Sequence, residues 1–489
     1  MRKSGILLHI SALPNKHGIG TFGKEAYEFV DFLKMGGIKY WQVLPLGPTS
    51  YGDSPYQSFS AFAGNPYFID YDILKEEGLL KYSEYRGLKT NNKRVDYEHI
   101  YNTKFDILEI AFSRFDIEKE EYKEFKKENS YWLDNYSLFM SIKRYFNNVA
   151  WSKWDKLYQN KDEKTINCFK KENNRQIEYW KFIQYEFYKQ WKNLKKYANS
   201  NGILIIGDLP IYVAYDSSDV WSDPKNWLLD SENKPIKVAG CPPDAFSSLG
   251  QLWGNPIYNY NYMEKNEYSW WIERFKKSFE IYDVIRIDHF RGFESFYTID
   301  YKAENAINGT WEKGPGMKLF SMIKKELGEV KVIAEDLGFL TEEVFELIKE
   351  TGFPGMKVLE FAFSPNEDSI YLPHNYNENS VCYPATHDNP TIKEWLDNLR
   401  NDEKEFCYKY THITKESEAV DRIISLALSS VAKLVVVQLT DYLNLGKEAR
   451  FNTPSTLSTY NWSYRVDKRK LSKKLAKKIY ELNRIYKRV

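Results

Sequence analysis

Four short apolar runs in this 489-residue sequence end in a carboxylic acid or lead straight into one. They are Ile203-Leu-Ile-Ile-Gly-Asp208, Val284-Ile-Arg-Ile-Asp288, Val332-Ile-Ala-Glu335 and the run 381–385, which continues as Thr386-His387-Asp388-Asn389. Paired carboxyl groups can break a glycosidic bond: one protonates the leaving oxygen while the other attacks the anomeric carbon or activates water. Arg286 stands two residues before Asp288, hence on the same face of a strand, where its charge would keep Asp288 ionised as a nucleophile. Glu335 has no basic residue within three positions, which suits a carboxyl that must hold a proton. One such Asp would read as readily as a helix N-cap. Four acids act together only if the strands that carry them end on one rim.

The chain offers such a rim. Eight short apolar runs, at 5–10, 40–44, 203–208, 284–288, 332–335, 356–361, 381–385 and 434–438, alternate with amphipathic stretches of helical spacing such as Lys24–Met35, 177–199, 270–279, 342–350 and 416–430. This alternation predicts an α/β fold, a (β/α)8 TIM barrel spanning 1–489 as a single catalytic unit, with the active site at the C-terminal ends of its strands. Two connections are too long for plain barrel loops and read as insertions. The stretch 59–175 is predicted to be a mostly helical subdomain, and 210–268, rich in Trp, Pro and Gly, to be substrate-binding loops. Near the C-terminus, Leu471, Leu475, Ile479, Leu482 and Ile485 recur at helical spacing, so the basic residues of 468–488 are expected on a solvated face. No room is left there for an appended β-sandwich domain.

The charge balance, 69 basic against 68 acidic residues, lacks the positive field of a nucleic-acid or anionic-membrane binder, so an uncharged partner is expected. Aromatic residues make up 17% of the chain, and such rings stack on the apolar faces of sugars. The four cysteines lie far apart, without the spacing of a disulfide framework or a zinc site, and no apolar segment resembles a signal peptide or a membrane span. A cytoplasmic location follows as the expectation. Gly18-Ile-Gly-Thr-Phe-Gly23 fits the dinucleotide-binding pattern, but Pro14 and polar residues separate it from the strand and no acid ends the second strand.

Ten strings carry a more specific message: Leu44-Pro-Leu-Gly-Pro48, Ser54-Pro-Tyr-Gln57, Gly207-Asp-Leu-Pro-Ile-Tyr-Val213, Pro242-Pro-Asp244, Gly250-Gln251, Trp253-Gly-Asn-Pro256, Arg286-Ile-Asp-His-Phe-Arg-Gly292, Ala334-Glu-Asp-Leu-Gly338, Pro354-Gly-Met-Lys357 and Thr386-His-Asp-Asn389. In this order they resemble the amylomaltase, or disproportionating-enzyme, family of 4-α-glucanotransferases. The resemblance implies an α-amylase-like barrel that transfers α-1,4-glucan segments with retention of configuration. It matches Asp288 to the nucleophile, Glu335 to the acid/base and Asp388 to the carboxylate that stabilises the distorted sugar. Arg286 and His387 match the groups beside these acids, His387 bonding sugar hydroxyls, and Tyr56, Asp208, His289, Trp253, Asn255 and Phe246 look like further sugar contacts. It implies maltooligosaccharides and α-1,4-glucans as partners, no metal or cofactor, and a monomer or weak homo-oligomer. Ala245 stands where relatives carry Tyr, and Ala449-Arg-Phe-Asn452 and Pro454-Ser455 replace the more usual Met and Gly. A glucan hydrolase on the same barrel is the alternative, and a non-catalytic glucan-binding protein is disfavoured by the complete set of acids.

Overall fold

A computed structural model describes residues 2–88, 93–243 and 247–489. Its centre is a closed barrel of eight parallel strands: β1 (Lys3–Leu7), β2 (Tyr40–Gln42), β3 (Leu204–Leu209), β6 (Val284–Ile287), β9 (Val332–Ala334), β10 (Gly355–Val358), β11 (Ser380–Tyr383) and β12 (Leu434–Gln438). Around the barrel they follow the order β1-β12-β11-β10-β9-β6-β3-β2. Each coincides with one of the eight apolar runs, although most runs extend one to three residues past the paired segment. Helices Lys24–Met35, Asn174–Ser200, Ser269–Ile281, Glu342–Thr351 and Ala419–Ser429 occupy the amphipathic stretches between them.

The strands are apolar on both faces because each face meets protein, as in parallel sheets generally. Leu7, Ile206, Val284, Ile333, Met356, Val358, Val381, Tyr383, Leu434 and Val436 form a buried cluster of their own, the barrel interior. The residues between them, among them Ile205, Ile285, Cys382 and Val435, pack outward into the larger core beneath the helices. Side chains alternate along a strand. The inward sets 206–208, 284–286–288 and 333–335 therefore carry Asp208, Arg286, Asp288 and Glu335 on from the interior cluster to the C-terminal rim.

In the first long connection the helices Tyr97–Phe112, Glu120–Glu128, Ser130–Tyr145 and Glu163–Glu172 pack against the long helix Asn174–Ser200 that leads into β3. The second differs from the expectation of loops. It contributes β4 (Lys237–Cys241) and β5 (Gln251–Pro256) to a four-stranded antiparallel sheet of order β5-β4-β7-β8. β7 (Ser295–Asp300) and β8 (Thr310–Lys313) come from a third excursion, between β6 and β9, that the apolar runs did not reveal.

Near the C-terminus, helix Lys473–Ile485 buries Ala476 and Ile479, while Ile485 is 62% exposed. The expectation that every basic residue there is solvated fails at Arg488, which is wholly buried. The GxGxxG glycines serve close packing. A Cβ on Gly20 would lie 1.7 Å from the Ile10 carbonyl oxygen, and one on Gly23 2.1 Å from an Asp70 carboxylate oxygen, distances only glycine permits.

Candidate active site

The pairing of β3 with β6 sets Asp208 beside Arg286, and the pairing of β6 with β9 sets Arg286 beside Ile333 and Ile287 beside Ala334. Asp288 and Glu335 each follow the last residue of their strand. The Arg286 guanidinium lies among three acids: Nη1 is 2.8 Å from both Asp208 oxygens and 3.1 Å from Asp288 Oδ1, and Nη2 is 3.9 Å from Glu335 Oε2. Arg286 is thus shared, and its closest partner is Asp208 rather than Asp288. The backbone N–H of His289 donates to Glu335 Oε2. His289 adopts a left-handed φ of 51°, an uncommon conformation for a non-glycine residue, which aims that N–H at the acid.

Burial raises the proton affinity of both carboxyl groups, and Arg286 opposes it. Asp288 keeps 27% of its side-chain surface open to the cleft against 13% for Glu335, and it has the closer contact with Arg286. Its pKa is accordingly pushed only to about 6, whereas that of Glu335 is pushed to about 8. Glu335 is therefore the group that holds its proton more tightly and Asp288 the one that ionises first.

None of the four acids caps a helix. The helices that follow β3, β9 and β11 begin on Ser217, Thr341 and Thr391. Asp388 is held by the loop after the neighbouring strand β12: Asn452 Nδ2 donates to its Oδ1 at 2.6 Å and Arg450 Nη2 to its carbonyl at 2.9 Å. The Tyr56 hydroxyl donates to Asp208 Oδ2 at 2.8 Å and so accepts from His387 Nε2 at 2.9 Å, which places the ring proton of His387 on that nitrogen. The two rings are stacked, 5.3 Å apart and 7° from parallel, and His387 Nε2 also lies 3.3 Å from Asp388 Oδ2. Burial lowers the His387 pKa, so the imidazole stays neutral at neutral pH.

Tyr56, Trp253, Asn255, Arg286, Asp288, His289, Glu335 and Asp388 line one cleft. Trp253 meets the His289 ring edge-on at 4.9 Å, and His289 Nε2 is buried without a protein hydrogen-bond partner. Asn255 commits its amide to the Val213 carbonyl at 2.8 Å. Two expected sugar contacts sit deeper. The Asp208 side chain is fully buried, so it acts on Arg286 and Tyr56 and not on a ligand, and His387 is 2% exposed with Nε2 already engaged. Tyr258, an aromatic residue of the second insertion, is buried beneath the cleft and donates to the Ile211 carbonyl. Phe246 and Ala245 lie outside the described residues.

The sequence profile of the 4-alpha-glucanotransferase family matches residues 8–471. The chain belongs to that family. It is 52% identical to a 4-alpha-glucanotransferase of Clostridium butyricum over 484 residues, covering 98% of this chain and 99% of the relative, and 48% identical to one of Streptococcus pneumoniae, covering 100% and 98%. Among solved structures it superposes on an amylomaltase from Streptococcus agalactiae in complex with acarbose with a TM-score of 0.97, at 40% identity and full coverage of both chains. The resemblance carried by the ten strings is therefore a true family relation.

Within this family site, sequence reasoning missed Asn452, Arg450 and Trp462. Trp462 leans on both Tyr56 and His387, at 5.8 and 5.9 Å. Asn452 and Arg450 entered the sequence reading only as members of the string 449–452, noted for a replaced residue and given no role. Among the described residues one group of metal-binding type occurs, His17, Asp70 and Asp72, and none of the three lines the cleft. Asp70 Oδ1 caps helix Tyr71–Glu76, and Asp72 pairs with Lys16 and Tyr85. Among the described residues no helix is long and apolar enough to cross a membrane.

Proposed function

We propose that this chain moves α-1,4-glucan segments from a donor glucan to an acceptor glucan or glucose by a retaining double displacement, with Asp288 as nucleophile, Glu335 as acid/base and Asp388 as the stabilising carboxylate. Family membership supports the reaction. The single observation that carries the assignment of roles is the split in proton affinity around Arg286, about 6 for Asp288 and about 8 for Glu335. In the first step the Glu335 proton passes to the glycosidic oxygen while an Asp288 oxygen bonds to the anomeric carbon, releasing the reducing-end fragment. In the second, Glu335 takes the proton of an acceptor 4-hydroxyl, that oxygen attacks the anomeric carbon, and the Asp288 ester opens. Both acids reach one guanidinium, at 3.1 and 3.9 Å, and the direct attack proposed here requires their carboxyl groups to stand about 5–5.5 Å apart.

Asp388, positioned by Asn452, would hold hydroxyls of the donor sugar as its ring flattens. His289 and Trp253, which line the same cleft, would supply further contacts. In this reading the chain works as one catalytic unit, a monomer or weak homo-oligomer, on maltooligosaccharides. The four cysteines, none of them in a disulfide and two of them buried, support a cytoplasmic location.

Hydrolysis would use the same acids with water as acceptor. Incubating the purified protein with maltotriose separates the two: a ladder of longer oligomers with released glucose is expected, and glucose with maltose alone would establish a hydrolase.

A further inference from the structure

Two large rings remain open to solvent where the loops after β6 and β9 meet. Phe339, four residues beyond Glu335, is 69% exposed, and Trp311 on β8 is 39% exposed. Both line the cleft that contains Asp288 and Glu335. Rings left exposed in one cleft, on either side of the Arg291 guanidinium, mark a binding surface more than a folding need.

Their placement is braced. The Arg291 guanidinium covers one face of Trp311, with Cζ 3.7 Å from the ring centroid, and it donates to the Phe339 carbonyl and to the Ser295 hydroxyl. Tyr297, opposite Trp311 in the β7–β8 ladder, meets it at 5.2 Å. Arg291 follows Asp288 by three residues, in the turn Phe290–Phe293, so the rings are tied to the segment that carries the nucleophile. One face of Trp311 is held by a cation, 39% of the residue stays open to the cleft, and an aromatic face matches the C–H face of a glucose unit. The rings belong to the Glu335 side of the rim, whereas Asp388 and Asn452 come from the loops after β11 and β12. Glu335 exchanges its proton with the leaving and accepting glucan, so the sugar on its side is the acceptor.

We propose that Trp311 and Phe339 form a stacking platform for acceptor glucose units beyond the one that reacts, so that the enzyme selects oligosaccharide acceptors over glucose. The proposal rests on the transferase reading. It is tested with maltotriose as donor and isotope-labelled glucose or maltotetraose as acceptor, following the initial rate of label entering longer chains. The readout is the ratio of kcat/KM for maltotetraose to that for glucose. Phe339→Ser and Trp311→Leu are each expected to lower this ratio about tenfold. Phe339→Ser is the safer variant for folding, because its ring is mostly in solvent and its backbone carbonyl, the partner of Arg291, is retained. An unchanged ratio in either variant, or an equal loss toward both acceptors, overturns the platform. Absence of any transfer by the unaltered protein overturns the transferase reading instead.

Discussion

Asp288 and Glu335 draw on the same guanidinium, yet their unequal burial separates their proton affinities, about 6 against about 8. Cleavage needs the first ionised and the second protonated, so kcat/KM is expected to rise as pH increases through about 6 and to fall as it passes about 8. The two limbs belong to the coupled pair rather than to either residue alone. Glu335→Gln should lower turnover by several orders of magnitude and remove the alkaline limb from the residual rate, because the amide has no proton to lose in this range. Stability responds in the opposite direction. A carboxyl whose folded pKa lies above its unfolded value of about 4.3 stabilises fully at acid pH and loses that contribution as pH rises through the folded value. The Tm of Glu335→Gln should therefore exceed that of the parent at pH 9, with little difference at pH 5. Parallel pH–rate and pH–Tm profiles check both statements, and a Tm difference that does not change with pH would refute the assigned proton affinity.

At the level of elements, strands bring the acids to the rim and loops finish the site. Asp208, Asp288 and Glu335 were legible because each sits on or just past an apolar run, and period-two alternation fixes the face a side chain takes. That Asp208 would be sealed under Arg286 was not legible, since depth along the barrel axis depends on the strand register. The antiparallel sheet also escaped notice. β4 and β5 contain glycine and proline, which read as loop, and β8 is only four residues long. Asn452 was invisible for a further reason: its loop meets Asp388 from 64 residues away, a contact that local pattern does not encode. Asn452→Ala is expected to cut kcat about tenfold or more with little change in Tm, because it frees Asp388 without opening the core. If Asn452 acts through Asp388, it should add almost nothing in an Asp388→Asn background, and a double-mutant cycle measures this. Additive losses would mean that Asn452 touches the substrate independently.

For the molecule as a whole, the question is how a barrel of parallel strands is closed at the end opposite its site. β1 and β12 pair directly, Lys3 with Leu434 through Leu7 with Gln438. Below that seam Arg488 donates to the carbonyls of Leu428, Lys3, Ala432 and Ser430 at 2.7–3.0 Å. It thereby ties the first strand to the segment that enters the last. Helix Lys473–Ile485, which precedes Arg488, packs on Lys24–Met35, so the two ends of the chain brace each other. Buried carbonyls that lose a charged donor cost about 1–3 kcal/mol each where nothing replaces it. Ser430 retains Arg2 as a second donor, which leaves three carbonyls, so Arg488→Met should cost at least about 3 kcal/mol. The loss should appear as a lower midpoint of urea unfolding, while turnover at 25 °C stays near normal because the change lies at the opposite end of the barrel from Asp288 and Glu335. Arg488→Lys is the sharper comparison. A lysine keeps the charge but cannot spread donors in a planar fork over four carbonyls, so it should recover only part of the stability. Full recovery by lysine would show that charge alone, and not the geometry of the fork, holds the seam.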